Sequence, residues 1–308
     1  MKMLLLPLLL LLSADQVRAQ AFSPGCPLKG QIKTLAEHRS IDNTCSGTGA
    51  GSSNSKAQNK AKNNFCASNT PKEITIAKLR TLDSRTQAAL KAAHIPFGHP
   101  TTIPPDRDRL EQGFTVSNVT YKEGMAVLIR AFVLEAHYSN VGGGEAVNCN
   151  VSKQPNNDIH IALVQAPGIS ECKSVTAEIS PHLRPTTWAD FPDYAFTHPL
   201  MFIGNLFYDA SHTPSCTTHP FRSSSWEIHP VYSIFVCKNS TLAACPPDPS
   251  DTSKWIAFDK WVDLPDDEGE GNHVRWLPSS LTAFPTINEI LYRSDYLPTS
   301  GARIVAQG

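Results

Sequence analysis

The sequence lacks any apolar run long enough to cross a bilayer. The longest, residues 3–12, covers about half of the roughly 20 residues that a transmembrane helix needs. Lys2 precedes this run, and small residues that fit a signal-peptidase site follow it, either Val17 with Ala19 or Ala19 with Ala21, which is the pattern of a secretory signal peptide. The sequence therefore predicts a secreted protein, periplasmic or extracellular, in which residues 1–20 are a signal peptide and no segment spans the membrane.

An excess of charge of either sign is also missing. The chain has 27 Lys and Arg residues against 28 Asp and Glu residues. A protein that binds nucleic acid without sequence preference carries a clear basic excess, because phosphate contacts dominate its affinity. The charge balance thus argues against nucleic acid as a partner, and the expected ligand is an unidentified small molecule or polymer.

No CxxC spacing occurs, which argues against a zinc ribbon or a thioredoxin-type site. The cysteines are even in number and fit a disulfide framework in an exported chain: Cys26, Cys45, Cys66, Cys149, Cys172, Cys216, Cys237 and Cys245. We predict a bridge between Cys149 and Cys172, because they flank one candidate strand. Cys26, Cys45 and Cys66 are expected to pair largely among themselves or with the C-terminal tail.

Two common catalytic motifs are absent as well. No GxSxG elbow is present, so a serine hydrolase of that class is disfavoured. The glycines of residues 142–144 do not precede a helix, so a phosphate-binding loop is disfavoured too.

Composition divides the chain after the signal peptide into three regions. Residues 22–115 contain three cysteines and two helix-compatible segments, 55–66 and 74–93. Residues 116–240 carry short β-type runs. Residues 241–308 are rich in proline and contain three tryptophans that are expected to dock this tail onto the main body: Trp255, Trp261 and Trp276.

The middle region has the pattern of a small β-barrel. Five strands are predicted, at 126–137, 158–165, 174–180, 200–208 and 225–237, with a short helical segment at 185–197 between the third and the fourth. This order of strands and helix is that of an OB-fold, a five-stranded barrel. The fold prediction is therefore mainly β, with a helical N-terminal region and an OB-like barrel; a β-sandwich of the same strands is the alternative.

Alternation within these strands separates aliphatic from titratable side chains. Because the side-chain period of a strand is two, Ile159 and Ile161 face one way, while Asp158 and His160 face the other. The same parity sets Glu178 on the third strand, and Glu227 with His229 on the fifth strand, off the aliphatic face. We expect the side chains of His160, Glu178, Glu227 and His229 to converge on one patch.

Four sequence blocks in this region resemble a family of uncharacterised secreted bacterial proteins that carry them in the same order. The blocks are NDIHI at 157–161, AEISPH at 177–182, GNLFYDASH at 204–212 and WEIHP at 226–230. The resemblance covers about half of the mature chain and extends more weakly to 58–66. One departure is visible: Ile203 and Asn205 stand where the family has Thr and either Gln or Trp. The resemblance implies membership and no mechanism, because no activity is established for the family.

Two functional hypotheses follow. In the first, the protein is a metal-dependent hydrolase that uses a divalent metal such as zinc, because mixed imidazole and carboxylate donors suit zinc, manganese or iron. The predicted roles are metal ligands (His160, Asp209, His212 and His229), catalytic carboxylates (Glu178 and Glu227) and substrate-binding residues (Arg184 and Trp226). In the second, the protein is a non-catalytic OB-like ligand-binding module of the cell envelope, in which these residues bind a ligand or simply hydrogen-bond to one another.

Overall fold

The computed structural model of the chain describes residues 21–26, 37–67, 70–98, 104 and 107–264. The predicted signal peptide lies outside the described residues. All of the described residues belong to one compact unit, which lies within Met1–Val274.

A closed five-stranded barrel forms the centre of this unit. Its strands are β4 (Ala126–Tyr138), β5 (Ile159–Val164), β6 (Val175–Ile179), β7 (Leu200–Tyr208) and β8 (Trp226–Cys237). They are hydrogen-bonded in the order β4-β5-β6-β8-β7, and β7 pairs with β4 to close the barrel. All neighbours are antiparallel except β6 and β8, which are parallel. The predicted OB-like barrel is confirmed, each strand within two residues of its predicted ends.

Strand β8 lies between β6 and β7 and does not pair with the first barrel strand. The first strand, β4, pairs with β7 over six residues, from Ala126 opposite Asn205 to Ala131 opposite Leu200. The titratable side chains of β8 therefore lie beside those of β6 and share a face with them.

The N-terminal region packs on the barrel and shares its hydrophobic core. It contains α1 (Ser53–Lys62), β1 (Lys72–Glu73), α2 (Ile76–Ala92), α3 (Asp108–Gln112), β2 (Phe114–Val116) and β3 (Val119–Tyr121). Helix α2 begins after Thr75, whose hydroxyl accepts a hydrogen bond from the Lys78 amide, and it buries Leu79 and Leu82 on one face. Phe65, which follows α1, belongs to the same buried cluster as the barrel strands.

After the barrel, β9 (Trp255–Ala257) pairs with β8, and α4 (Phe258–Val262) follows directly. Trp255 and Trp261 are buried, which confirms two of the predicted anchors, whereas Trp276 lies outside the described residues. No helix within the described part of the chain has the length and apolar content needed to span a bilayer.

Short 3-10 helices fill the connections: Ser40–Asn43, Ala146–Asn148, Gln154–Asn156, Glu171–Lys173, Thr186–Trp188, Phe191–Asp193 and Leu242–Ala244. The segment predicted as helical at 185–197 contains two of them and no α-helix, because Pro192 lacks the amide hydrogen that a longer helix needs.

Gly204 allows β7 and β8 to approach closely at an irregularity in their pairing. A Cβ atom at this position would lie 2.5 Å from Ile228 Cγ2 and 2.5 Å from the Pro230 carbonyl oxygen. Only glycine fits there without displacing the backbone of β8.

Three disulfides connect the described regions: Cys26–Cys66, Cys45–Cys149 and Cys237–Cys245. The predicted Cys149–Cys172 bridge is therefore wrong. The 3-10 helix Ala146–Asn148 lies against α1 and the segment before it, where the Ala50 amide donates to the Ala146 carbonyl. Cys149 consequently meets Cys45, and Cys172 remains a thiol.

Candidate functional site

Titratable side chains of three neighbouring strands meet on one face of the barrel. His160 of β5 lies directly opposite Glu178 of β6 in the antiparallel register. The parallel pairing of β6 with β8 then brings Glu227 and His229 alongside Glu178. The expected convergence of these four side chains is therefore observed.

This face is covered by the N-terminal region and closed to solvent over most of its area. Glu178, Glu227 and His229 are at most 3% exposed. Asp158, which precedes β5, is also fully buried. The alternative in which these polar groups are simply solvated on the outside of the barrel does not apply, so each buried charge needs a partner within the protein.

Lys62, the last residue of α1, supplies a positive charge to this cluster. Its Nζ lies 2.8 Å from Glu178 Oε2, 3.8 Å from Asp158 Oδ2 and 4.0 Å from Glu227 Oε1. Burial opposes the charged form of Lys62, but the carboxylates of Glu178, Glu227 and Asp158 outweigh it and raise the lysine pKa well above its ordinary value. The ammonium group therefore neutralises acids from three separate strands and loops.

His229 is held between the backbone of α1 and two carboxylates. Its Nδ1 lies 2.7 Å from the Lys62 carbonyl oxygen, so Nδ1 is the donor. Its Nε2 lies 3.3 Å from Asp158 Oδ2 and 3.4 Å from Glu178 Oε2. Burial and Lys62 lower the pKa of His229, but Asp158 and Glu178 outweigh them, and the net shift is upward. The two carboxylates thus stabilise the protonated ring.

His160 occupies the more open edge of the cluster, with 24% of its side chain exposed. Its Nε2 lies 3.4 Å from Glu145 Oε1 and 3.3 Å from Glu178 Oε1. Burial opposes protonation, but Glu178 and Glu145 raise the pKa of His160 to about 9. Glu145 is itself positioned by Asp158, whose backbone amide donates to Glu145 Oε2 over 3.2 Å.

Two sets of three side chains have the spacing of a metal site among the described residues. They are Glu145 with Asp158 and His160, and Asp158 with Glu178 and His229; within each set one donor atom per residue lies within 4.8 Å of the others. In the second set Lys62 already provides the cation. The first set, which opens towards solvent through His160 and Glu145, is the better candidate for a metal ion.

Asp209 and His212, predicted as metal ligands together with His160 and His229, belong to a separate part of the network. Arg222 links the two parts, because its Nη1 lies 2.7 Å from Glu227 Oε2 and its Nη2 lies 2.8 Å from Asp209 Oδ2. Burial and the negative charge of Glu178 raise the pKa of Glu227 to about 7. The single six-residue site of the sequence hypothesis is thus divided by an arginine.

His212 has the arrangement of an oriented acid or base. Its Nδ1 lies 2.8 Å from Asp209 Oδ2, and its side chain is 46% exposed. Asp209 is fixed in turn by Arg222 and by the backbone amide of Ser211. Burial disfavours the charged carboxylate, but Arg222 and His212 hold the pKa of Asp209 well below its ordinary value. A carboxylate on Nδ1 leaves Nε2 as the nitrogen available for proton exchange.

The two predicted substrate-binding residues have structural contacts instead. Arg184 is buried and donates from its guanidinium to the carbonyl oxygens of Gln154, Pro155 and Asn157. Trp226 is fully buried in the core, and its Nε1 donates to Thr86 Oγ1 over 2.9 Å. A buried indole in the core offers no surface to a substrate.

Three central members of the network were missed by the sequence reasoning: Lys62, Glu145 and Arg222. Lys62 lies in the segment 58–66, to which the family resemblance extends weakly, and this was the one signal available for it. Glu145 follows the glycines of 142–144 and Arg222 lies in the long β7–β8 connection, so neither has a strand periodicity that marks it.

Comparisons of the chain with protein-family models, curated proteins and solved structures give no match.

Proposed function

We propose that the protein is a secreted metal-dependent hydrolase in which Glu145, Asp158 and His160 hold a divalent cation such as zinc. The proximity of one donor atom from each of these residues, all within 4.8 Å of one another at the open edge of the buried cluster, carries the proposal. Three disulfides, the signal-like N-terminal sequence and the absence of a spanning helix in the described residues support secretion to the periplasm or the exterior.

The separations around His160 suit a tetrahedral ion. Ligands at about 2.1 Å from a tetrahedral zinc ion lie roughly 3.4 Å from one another. His160 Nε2 is 3.4 Å from Glu145 Oε1, its neighbour in the proposed ligand set. This nitrogen is buried and lies within ion-pair distance of that carboxylate, so a metal ion between them would take the place of the imidazole proton. Imidazole with carboxylate donors is a common set for zinc, manganese and iron.

The charge of the cluster also favours a cation at this position. Lys62 and His229 both pair with Asp158 and Glu178, whereas Glu145 pairs with His160. Protonation of His160 supplies the missing positive charge, and a divalent ion bound to its Nε2 would replace that proton. Metal ion and proton therefore compete for the same nitrogen.

A metal ion bound here would act as a Lewis acid on a water molecule or on a substrate oxygen. The residues of the chain have supporting roles. Burial opposes ionisation of Glu178, but His160 and Lys62 lower its pKa to about 2, so this carboxylate stays charged and orients the imidazole of His160. Exposed His212, fixed by Asp209, is the group that can exchange protons with solvent.

A second function is favoured by a different observation. The acids of the cluster are already paired with Lys62, His229 and Arg222, and the Nδ1 of His229 is bonded to a backbone carbonyl. A network satisfied in this way holds the N-terminal region onto the barrel without any metal ion. The protein would then be a non-catalytic OB-like binding module of the cell envelope, with a small-molecule or polymer ligand.

Metal titration separates the two functions. We expect the purified mature protein, titrated calorimetrically with Zn²⁺ and with Mn²⁺, to bind one ion, and His160→Ala to lose that binding while retaining its melting temperature to within a few degrees. His212→Ala is the matched control, because His212 also contacts a carboxylate but lies outside the proposed ligand set. Failure of the wild-type protein to bind either ion rejects the metal site.

Activity is tested next, with the metal-loaded protein against chromogenic ester and phosphodiester substrates. Turnover that His160→Ala and chelation both abolish supports the hydrolase. Stoichiometric metal without turnover on any substrate favours the binding module.

A further inference from the structure

We propose that Cys172 and Cys216 form a fourth disulfide, which fastens the β7–β8 connection to the turn before β6. These two cysteines are the thiols that the described residues retain beside three bridges. Their place in the fold is independent of the proposed metal site.

The two side chains are neighbours. Cys216 Sγ lies 3.8 Å from the carbonyl oxygen of Cys172, across 44 residues of sequence. The neighbouring Cys172 thiol raises the pKa of the Cys216 thiol, mainly through a side-chain hydrogen bond. Cys216 is exposed and Cys172 is half-buried, so both are reachable by an oxidant.

Backbone hydrogen bonds align the segments that carry these cysteines. Two residues after Cys172, the Ser174 carbonyl accepts from the Ser223 amide over 2.8 Å. Directly before Cys216, Ser215 exchanges two backbone hydrogen bonds with Arg222, each 3.2 Å long. These backbone hydrogen bonds link Ser174 to Ser223, and Arg222 to Ser215, in one short ladder. Cys172 and Cys216 lie at the same end of this ladder.

Helix α2 contacts both of these segments through Arg80. Arg80 donates from Nε to Ser223 Oγ over 2.9 Å and from Nη2 to the carbonyl oxygen of Lys173, the residue after Cys172. Both segments are thus fixed to a common side chain, which limits how far the two cysteines can move apart.

Bond formation is a two-electron oxidation by thiol–disulfide exchange. A small disulfide, or the disulfide of an oxidoreductase, accepts attack by one cysteine thiolate and releases one thiol; the second thiolate then displaces the remaining half as another thiol. Two cysteine protons are lost to solvent or to the released thiolates, and the two electrons reduce the oxidant disulfide. The three existing bridges show that the chain is built for a compartment that supplies such oxidants.

The bridge has a consequence for the ion-pair network. Arg222, which joins Glu227 to Asp209, lies six residues after Cys216 in the β7–β8 loop. Tying Cys216 to Cys172 holds that loop on β6 and limits the movement of the guanidinium away from its two carboxylates.

Peptide mapping of the full-length mature protein tests the proposal. The protein is incubated with oxidised glutathione, alkylated without reduction, digested and analysed by mass spectrometry. We expect a crosslinked peptide pair that contains Cys172 and Cys216, and no alkylated thiol. Alkylation of both cysteines, or glutathione adducts on each without a crosslink, overturns the proposal.

Two variants provide an independent readout. Cys172→Ser should leave one reactive thiol per chain at Cys216, whereas wild-type protein should have none. The double variant Cys172→Ser/Cys216→Ser should melt roughly 5 to 10 °C below the oxidised wild type, since a loop of 44 residues is no longer closed. Reduction of the wild type at these two positions alone should give the same loss, and equal melting temperatures for all forms contradict the bridge.

Discussion

Lys62 and Glu178 are joined by an ion pair of 2.8 Å between residues 116 positions apart, one at the end of α1 and the other near the end of β6. The lysine is 13% exposed and the glutamate 3%. Removing one partner of such a buried ion pair destabilises the folded protein, because the other charge is left buried and uncompensated. Lys62 thus stabilises the ionised forms of Asp158, Glu178 and Glu227.

Lys62→Met should destabilise the protein by about 3 to 5 kcal/mol, because methionine keeps the chain volume but leaves Glu178, Asp158 and Glu227 without their ammonium partner. Urea unfolding at pH 7 measures the effect. Lys60→Met on the same helix is the control, since Lys60 is exposed and its loss should change stability by less than about 0.5 kcal/mol. Equal effects of the two variants contradict the assigned role of Lys62.

Glu227 gives the protein a pH-dependent stability with a defined sign. Its folded pKa is raised to about 7 by burial and by Glu178, from an ordinary value of 4.5. The folded state therefore binds more protons than the unfolded state between these values, and the unfolding free energy should fall as pH rises through this window, by roughly 2 to 3 kcal/mol. Glu227→Gln should remove that fall, as unfolding curves at pH 4.5, 6 and 8 will measure.

The contribution of Glu178 to the unfolding free energy has the opposite pH dependence, and it serves as an internal control. Its pKa, lowered to about 2 by His160 and Lys62 against the effect of burial, makes its contribution present above pH 4.5 and lost as pH falls towards 2. Glu178→Gln should therefore flatten the acid side of the stability profile. Glu227→Gln and Glu178→Gln profiles that change in the same pH window are incompatible with these assignments.

Metal binding should release a proton. The pKa of His160, raised to about 9 by Glu178 and Glu145 against the effect of burial, means that the imidazole is protonated at neutral pH. The apparent affinity for Zn²⁺ should then rise about tenfold per pH unit between pH 6 and pH 8. Calorimetric titrations in two buffers of different ionisation enthalpy count the released protons, and a pH-independent affinity would falsify His160 as a ligand.

The barrel could be predicted from the sequence because its strands alternate regularly. Ile159, Ile161 and Leu163 on β5, for example, set the parity that also placed His160 opposite the core. The turns between strands contain proline, glycine and asparagine, so the strand ends were marked as well. Parity fixed the face of each titratable residue, and the OB-like connectivity placed three of the strands side by side.

The packing of α1 over the titratable face of the barrel could not be predicted from strand alternation. Helix α1 is polar around most of its surface, and Lys62 has no periodic signal that distinguishes it from Lys56 or Lys60. Its partners lie more than 90 residues away, and contacts at that separation leave no local pattern. The wrong Cys149–Cys172 pairing had the same origin, because nearness in sequence was a poor guide to a bridge between Cys45 and Cys149.

Gly204→Ala should destabilise the barrel by about 1 to 3 kcal/mol or more, because the added methyl group would meet Ile228 Cγ2 and the Pro230 carbonyl oxygen at 2.5 Å each. Gly142→Ala is the matched control, since no atom lies within 4 Å of a Cβ built there. Thermal melts of both variants test the close approach of β7 and β8. Equal melting temperatures would show that β8 moves away from the added methyl group with no loss of stability.

Loss of the Cys45–Cys149 bridge should cost more than loss of the Cys237–Cys245 bridge. The first joins residues 104 positions apart and the second residues 8 positions apart. The chain-entropy relation gives about 4.7 kcal/mol for a loop of the first length and roughly 2.5 kcal/mol for the second. Paired alanine variants, compared by urea unfolding, measure the difference, and a reversed order argues against the assigned bridges.

The sharing of one ion cluster between α1 and the barrel limits how this chain can be recombined. A gene fusion that joined residues 116–240 to a foreign N-terminal segment would transfer the acids Asp158, Glu178 and Glu227 without the lysine that neutralises them. It would also separate Cys149 from Cys45. The barrel and the N-terminal region that covers it therefore have to be transferred together, and an insertion between them is tolerated only where both the Lys62 ammonium and the Cys45 sulfur can still reach their partners.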